Sequence, residues 1–305
     1  MLLPRVGLAA LLALGLLASP RPAVPAPQAL RERLVERMAQ RTDADLPPGT
    51  RIEPDLAYGS APEQRYDVYL PAHPAADAPL LVMVHGGGWR TGDKALASVV
   101  AHKAAWWLAR GGVFVSVNHR LVPDADPQQQ ARDVAAAVAS VQQRARQWQA
   151  DPGKTVLMGH SAGGHLVALL GSDPALLRQA DARRPRGVVV LDSGALDVPA
   201  LMQQRWLPRL YRDAFGQDPA YWTAVSPQQR LQRDALPMLL VCSSTRRFPT
   251  APCAEAGKLA ARGRALGVAL QVQPEALSHR EINDRLGLPS AYTDAVAGWI
   301  DLRLR

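Results

Sequence analysis

The sequence has little of what several classes of protein require. Its two cysteines, Cys242 and Cys253, are too few for a disulfide-built scaffold or a cysteine-rich zinc site. After residue 18, no apolar run approaches the roughly 20 residues of a membrane-spanning helix. Only four of the 35 basic residues are lysine, and no run of five or more Lys or Arg occurs, so the formal net charge of +8 is dispersed. Despite the basic balance, the sequence therefore predicts no nucleic-acid partner.

What is present fits an exported globular protein. With 305 residues, 48% of them hydrophobic, the chain is neither disordered nor fibrous. Residues 1–26 combine an early Arg5, a short apolar run and small residues after it, which is typical of a secretory signal peptide. We expect a periplasmic or secreted protein without a stable membrane anchor; an uncleaved anchor is the alternative. In an oxidising compartment Cys242 and Cys253 are expected to form a disulfide, the alternative being two buried thiols.

Beyond a linker or surface helix at residues 27–49, apolar strands alternate with helical patterns. Strands are predicted at residues 51–58, 66–70, 79–85, 113–117, 155–158, 187–191, 237–243 and 269–273. Helices are predicted at residues 95–110, 127–149, 161–170, 253–266 and 290–304. This alternation predicts one α/β domain, residues 50–305, with a mostly parallel sheet and helices on both faces. Residues 199–235, before the seventh strand, fit neither pattern and are interpreted as a lid-like insertion.

The strongest chemical motif is Gly-His-Ser-Ala-Gly at residues 159–163, directly after an apolar strand. A nucleophilic serine on a sharp strand-to-helix turn needs small neighbours, and the turn lifts its hydroxyl clear of the sheet. Ser161 is therefore the candidate nucleophile. A glycine-rich turn with an incidental serine is the alternative.

A second glycine-rich loop, His-Gly-Gly-Gly-Trp at residues 85–89, also follows an apolar strand. An oxyanion needs backbone N–H donors about 3 Å away, and side chains would obstruct that approach. Gly87 and Gly88, together with Ala162 after the serine, are the candidate donors. A phosphate-binding loop is disfavoured because no Gly-Lys-Ser/Thr follows. His85 is expected to brace this loop; its rival role is that of catalytic base.

His279 is the candidate base, because it lies in the predicted loop after the last strand and follows the nucleophile in chain order. A solvated loop histidine is the alternative. Metal binding is disfavoured, since His160 and His165 are five residues apart and no His-Glu-x-x-His occurs. No metal and no cofactor are expected.

The motifs at residues 85–89 and 159–164 resemble those of α/β-hydrolase esterases related to hormone-sensitive lipase. The bacterial branch with feruloyl-esterase-like and kynurenine-formamidase-like enzymes is the most similar. Residues 117–121, Val-Asn-His-Arg-Leu, resemble that family's Asn-Tyr-Arg-Leu segment, with His119 in the place of tyrosine. The resemblance covers roughly residues 50–300. It implies the α/β-hydrolase fold with an eight-stranded, mostly parallel sheet, and ester hydrolysis through an acyl-enzyme.

The sequence departs from the family where its catalytic acid normally stands. After the seventh strand, residues 241–248 contain no carboxylate. Asp192, at the end of the sixth strand, is the first substitute, because some lipases of the wider superfamily carry their acid there. Glu255 and Asp197 are weaker candidates, and a Ser–His dyad is a further alternative.

These residues predict a serine hydrolase that cleaves small or short-acyl carboxylic esters. A degenerate hydrolase acting as a binding protein is the rival, and within the enzymes an amidase or formamidase remains open. Aromatic side chains are expected to line the substrate pocket. They are Trp89, Trp206, Tyr211 and Trp222.

Overall fold

The computed structural model describes residues 46–305. The predicted signal peptide, residues 1–26, and residues 27–45 of the predicted linker lie outside this part of the chain. Among residues 46–305, no helix has both the length and the apolar character needed to cross a membrane.

Eight strands form a single sheet in the order β1-β2-β4-β3-β5-β6-β7-β8. Their bounds are Arg51–Ala57 (β1), Arg65–Leu70 (β2), Ala78–Val84 (β3), Val113–Val117 (β4), Ala150–His160 (β5), Gly187–Leu191 (β6), Met238–Ser243 (β7) and Leu270–Glu275 (β8). The pairs β1–β2 and β2–β4 are antiparallel, and every other pair is parallel. The predicted eight-stranded, mostly parallel sheet is confirmed.

Helices cover both faces of this sheet. Their bounds are Ala97–Leu108 (α1), Pro127–Arg144 (α2), Ala162–Ser172 (α3), Ala175–Gln179 (α4), Val198–Met202 (α5), Arg209–Phe215 (α6), Pro219–Ala224 (α7), Pro227–Arg230 (α8), Pro252–Leu266 (α9), His279–Asp284 (α10) and Ala291–Leu304 (α11). Along β3, Leu80 and Val82 belong to one buried apolar cluster, whereas Leu81 and Met83 belong to another. Because successive side chains of a strand point to opposite faces, these two clusters lie on opposite sides of the sheet.

Three elements differ from the sequence prediction. The helix predicted over residues 127–149 ends at Arg144, and a 3₁₀ turn, Ala145–Trp148, leads to Gln149 with φ +57°. Strand β5 begins at residue 150 rather than 155, because an irregular pairing with β3 accommodates the residues around Pro152. His279 begins a short helix instead of lying in a loop, since Ser278 and Glu281 form a capping box in front of it.

Between β6 and β7, the segment at residues 199–235 carries most of α5 and the three short helices α6, α7 and α8. Tyr211 and Phe215 of α6 are buried against Trp89, with ring centroids 5.7 and 4.8 Å away. This segment is therefore packed onto the glycine-rich loop after β3. The carboxyl ends of the parallel strands bring this loop, the end of β5 and the end of β6 to one edge of the sheet, which is where open α/β sheets bind ligands.

Candidate active site

Ser161 lies on a sharp turn between β5 and α3. Its backbone is strained, with φ +56° and ψ −115°, a region that residues other than glycine rarely adopt. The turn is compact: a Cβ added at Gly163 would lie 2.4 Å from the carbonyl oxygens of Val84 and His85. The Ser161 N–H donates to the Leu191 carbonyl of β6 at 2.9 Å, which fixes the turn to the neighbouring strand.

His279 lies directly against this serine. Its Nε2 is 3.1 Å from Ser161 Oγ, and its Nδ1 is 2.6 Å from Asp192 Oδ2. The imidazole side chain is 36% exposed, so it faces both the protein interior and the cleft. The three residues predicted as nucleophile, base and first-choice acid are thus brought together in one hydrogen-bonded series.

His160 supports the backbone of His279. Its Nε2 donates to the His279 carbonyl at 3.0 Å, and the two rings are 4.5 Å apart. Burial, together with the nearby His279, lowers the pKa of His160 to about 3. His160 is therefore neutral at physiological pH and adds no charge beside the candidate base.

Asp192 follows β6 and is completely buried. Its Oδ1 accepts the Ser243 N–H at 2.7 Å, while Oδ2 faces His279 and, at 3.1 Å, Arg246 Nε. Burial raises the pKa of a carboxyl group, but the hydrogen bond from His279 and the charge of Arg246 outweigh it, so that the pKa of Asp192 is lowered. Asp192 is therefore ionised at neutral pH.

The two other candidate acids lie elsewhere. Glu255, on α9, pairs with Lys258 at 3.5 Å. Asp197 precedes α5 and accepts a hydrogen bond from Gln229. Asp192 is thus the carboxylate that faces His279.

The glycine loop after β3 borders Ser161. Gly87 has φ +124°, and a Cβ there would lie 2.1 Å from the Thr91 carbonyl oxygen, so only glycine fits. Within residues 46–305, the N–H groups of Gly87, Gly88 and Ala162 donate to no acceptor. Ser161 shares the lining of a cleft with each of these three residues. Their N–H groups are therefore available to a bound group.

Histidines on the far side of the loop brace it. The ring of His85 is stacked on that of His119 at 4.7 Å, and Trp89 Nε1 donates to His165 Nδ1 at 3.2 Å. His165 in turn donates from Nε2 to the Val225 carbonyl at 2.8 Å. Burial lowers the pKa of His165 to about 4, so this ring stays neutral. His85 therefore does not take the place of the catalytic base, since the histidine in contact with Ser161 is His279.

Two cavities meet at Ser161 and His279. The smaller, about 220 Å³, is lined by Trp89, Gly194, Leu210, Tyr211, Arg246 and Pro249, among others. The larger, about 510 Å³, is lined by Ser98, Val99, His160, Asn283 and Asp284, among others. Of the four aromatic residues expected in the pocket, Trp89 and Tyr211 line the smaller cavity. Trp206, which is 75% exposed, and Trp222, which donates to the Phe215 carbonyl, line neither cavity.

The predicted disulfide is present. Cys242, in β7, is bonded to Cys253, in the first turn of α9. The bond closes the loop that contains Arg246 and thereby ties this loop to the end of the sheet. Among the described residues, no three or more His, Cys, Asp or Glu side chains are grouped so as to hold a metal ion.

Sequence reasoning did not find Arg246 or His160. His160 is part of the Gly-His-Ser-Ala-Gly motif, but it points to no particular role without the position of His279. The signal for Arg246 was its place in the loop that the family's acid normally occupies.

The sheet order and helical layers define the α/β-hydrolase fold. The serine turn, with His279 and a buried carboxylate in series behind it, has the geometry of a Ser–His–Asp triad. Residues 66–187 match the family model BD-FAE, which describes α/β-hydrolase esterases.

Known proteins similar to this chain agree with that match. A probable isoprenylcysteine alpha-carbonyl methylesterase of Oryza sativa subsp. japonica is 32% identical over 132 residues, 43% of this chain and 30% of that protein. The kynurenine formamidase of Danio rerio is 34% identical over 116 residues, 38% of this chain and 37% of that protein. The chain thus spans about a third of the length of these relatives. The crystal structure of esterase B from Lactobacillus rhamnosis has a TM-score of 0.69 at 21% identity, covering 91% of this chain and 93% of that one.

Proposed function

We propose that this chain is a carboxylesterase-type serine hydrolase that acts through an acyl-enzyme. The observation that carries the proposal is the position of His279, with Nε2 3.1 Å from Ser161 Oγ and Nδ1 2.6 Å from a buried carboxylate. This is the geometry that a nucleophile, a general base and an orienting acid require. The similarity to esterases supports the same reaction.

In the proposed first half-reaction, Ser161 Oγ attacks the ester carbonyl carbon and its proton moves to His279 Nε2. The carbonyl electron pair moves onto oxygen, and the N–H groups of Gly87, Gly88 and Ala162 stabilise the oxyanion. Asp192 accepts the Nδ1–H, which holds the correct tautomer and stabilises the imidazolium.

The intermediate then collapses. The bond from carbon to the alcohol oxygen breaks, and the alcohol leaves with the proton of His279 Nε2. Water repeats the sequence on the acyl-enzyme: His279 takes a proton from water, the hydroxyl adds to the acyl carbon, and Ser161 leaves with the proton. The carboxylic acid is released and the enzyme is restored.

The smaller cavity beside Ser161 supports a short group on one side of the ester. A cavity of about 220 Å³ beside Ser161 is smaller than the roughly 300–1,000 Å³ of typical small-molecule pockets. Its lining combines the aromatic rings of Trp89 and Tyr211 with the guanidinium of Arg246. The cavity of about 510 Å³ also reaches Ser161 and His279, and it offers room for the other half of the ester.

An amidase or formamidase is the second candidate, favoured by the similarity to the kynurenine formamidase of Danio rerio. The same residues would act, with His279 delivering its proton to a leaving nitrogen. Turnover of an aryl acetate and of the matching N-formyl arylamine distinguishes the two. A degenerate hydrolase that acts only as a binding protein is disfavoured. The strained backbone of Ser161 costs about 1–3 kcal/mol of folding free energy, and a protein that catalyses no reaction would gain nothing from it.

We also propose that the protein is exported. The N-terminal pattern supports this, and so does the Cys242–Cys253 disulfide, because disulfides persist in oxidising compartments and are rare in the cytosol.

One experiment tests both proposals. Cells that express the full chain are fractionated and treated with a fluorescent fluorophosphonate, which labels activated serines. Labelling of the wild type is expected in the exported fraction, on a band shorter than the full chain. Ser161→Ala should abolish it, while Ser193→Ala, a change at another serine that lines the same cavity, should retain it.

An unlabelled wild-type band, or equal labelling of Ser161→Ala, would contradict the catalytic proposal. A labelled full-length band in the cytosolic fraction would contradict export alone.

A further inference from the structure

The loop after β7 lacks the carboxylate of related esterases but carries two consecutive arginines that differ in environment. Arg246 is largely buried, with 15% of its side chain exposed, and lines the cavity beside Ser161. Arg247 is exposed and bonds to the carbonyls of its own loop, at Ser244 and Arg246. The buried arginine is the one placed at the candidate site.

Arg246 contacts the same carboxylate oxygen as the candidate base. Asp192 Oδ2 lies 2.6 Å from His279 Nδ1 and 3.1 Å from Arg246 Nε. The contact of Arg246 Nε is an ion pair without a hydrogen bond, and the guanidinium donates instead from Nη2 to the Asp192 backbone carbonyl at 3.2 Å. Two cationic or potentially cationic groups thus share one buried anion.

The backbone of the loop holds Arg246 in this position. Its N–H donates to Ser243 Oγ at 3.1 Å, and that hydroxyl donates to the Leu277 carbonyl at 2.6 Å, two residues before His279. The Ser243 N–H binds the other oxygen of Asp192. The cation is therefore fixed by the same short segment that positions the carboxylate.

The charges have a direct consequence for His279. With His279 neutral, Asp192 and Arg246 form a balanced pair, so the buried carboxylate already has a counter-ion. A proton on His279 adds a second positive charge close to the guanidinium, and like charges in a partly buried site disfavour each other. Without Arg246, the imidazolium would be the main counter-ion of Asp192 and would be favoured.

Other titratable and charged groups lie on the elements around His279 and Asp192. His160 from β5 is neutral, and Tyr211 from α6 has a raised pKa because of burial. The helix α10 itself carries Arg280, Glu281 and Asp284. Lys103 from α1 is buried, and burial lowers its pKa to about 7. Because Lys103 also changes charge near neutrality, the effect of Arg246 has to be measured as a difference between variants that all retain it.

We propose that Arg246 is a positioning residue that shares Asp192 with His279. It thereby keeps His279 uncharged, and available as a base, down to a lower pH than would hold without Arg246. The inference rests on the proposed hydrolase function for its catalytic meaning, but the effect on His279 exists whether or not the chain hydrolyses esters. A residue that merely supports the loop would change activity equally at all pH values.

The test compares Arg246→Gln, Arg246→Lys and the neighbouring Arg247→Gln as matched control. The kcat/KM for a small neutral aryl ester is measured from pH 4 to 9. In Arg246→Gln the midpoint of the acid limb should rise by about one pH unit, a tenfold change in the proton affinity of His279. Arg246→Lys, which keeps the charge, should move it by less than half as much, and Arg247→Gln should leave it in place.

A second readout does not depend on catalysis. The His279 ring resonance, assigned by its loss in His279→Asn, is titrated by NMR in the wild type and in the Arg246 and Arg247 variants. The Arg246→Gln midpoint should rise by the same amount as in the kinetics. An unchanged His279 titration in a folded Arg246→Gln protein would overturn the inference, and so would an equal shift in Arg247→Gln. A protein that titrates as expected but neither labels nor turns over ester would contradict the proposed function alone.

Discussion

The ends of β6 and β7 are adjacent in the sheet but hold opposite charges at the site. β6 is followed by Asp192, completely buried and with φ +50°. β7 is followed by a loop that holds Arg246 and is closed by the Cys242–Cys253 disulfide. The resemblance to hormone-sensitive-lipase-related esterases implied an acid at the second of these places, whereas the carboxylate facing His279 comes from the first.

An acid after β6 can take the place of one after β7 because the two strands are parallel neighbours. Leu191 of β6 is in register with Val241 of β7, and paired strands lie about 4.8 Å apart. The residue after either strand can therefore approach the same imidazole. The end of β7 still contributes to the site, because the Ser243 N–H and the Arg246 guanidinium both bind Asp192.

The largest effect is expected from removing the carboxylate on β6. Asp192→Asn should lower kcat for a small ester by about 10⁴-fold, because an amide fails to hold the productive His279 tautomer or to stabilise the imidazolium. The measurement is steady-state turnover of the purified variant, with circular dichroism to show that it is folded.

Glu255→Gln is the matched control on the β7 side, since Glu255 lies on α9 and pairs with Lys258. Its turnover should remain within twofold of the wild type. If the two variants lost activity equally, or if Asp192→Asn kept full activity, the distinction between the two strand ends would fail.

The sequence predicted much of this arrangement but left its acid open. The strands were recognisable because buried parallel strands are continuous apolar runs, and Ser161 because its turn admits only small neighbours. The choice among Asp192, Asp197 and Glu255 depends on which side chain reaches Nδ1 of His279. That distance is set by the register of β6 against β7, which no local pattern in the sequence reports.

The capping of His279 lay within reach of sequence reasoning. Ser278 and Glu281 have the Ser-x-x-Glu spacing of a capping box, which predicts the start of a helix at residue 279. The ion pair of Arg246 with Asp192 lay beyond sequence reasoning, because residues 54 positions apart in the sequence meet only through the sheet.

A smaller effect is expected from opening the disulfide on the β7 side. The double variant Cys242→Ala/Cys253→Ala should lose about 3 kcal/mol of unfolding free energy on the chain-entropy model for an 11-residue separation. Denaturant unfolding monitored by circular dichroism measures this. Because Asp192 and His279 lie outside the closed loop, turnover well below the unfolding transition should fall by less than tenfold.

The control for this change is chemical. Reduction of the wild type with a thiol reagent should lower its stability by a similar amount and leave the double variant unaffected. A double variant that is as stable as the oxidised wild type would show that the loop after β7 is held by Arg246 and Ser243 without the covalent bond.

The smallest effect is expected where the two strand ends touch. A Cβ added at Gly194, just after Asp192, would lie 1.9 Å from Thr250 Oγ1 in the loop after β7. Gly194→Ala should therefore push the two segments apart and destabilise the fold by about 1–2 kcal/mol, as overpacking does. Gly257→Ala, in α9 with no atom within 4 Å of the new methyl, should instead stabilise by about 0.5–1 kcal/mol. Combining Gly194→Ala with Thr250→Ala should recover part of the loss, and a strictly additive double variant would show that Gly194 and Thr250 are not in contact.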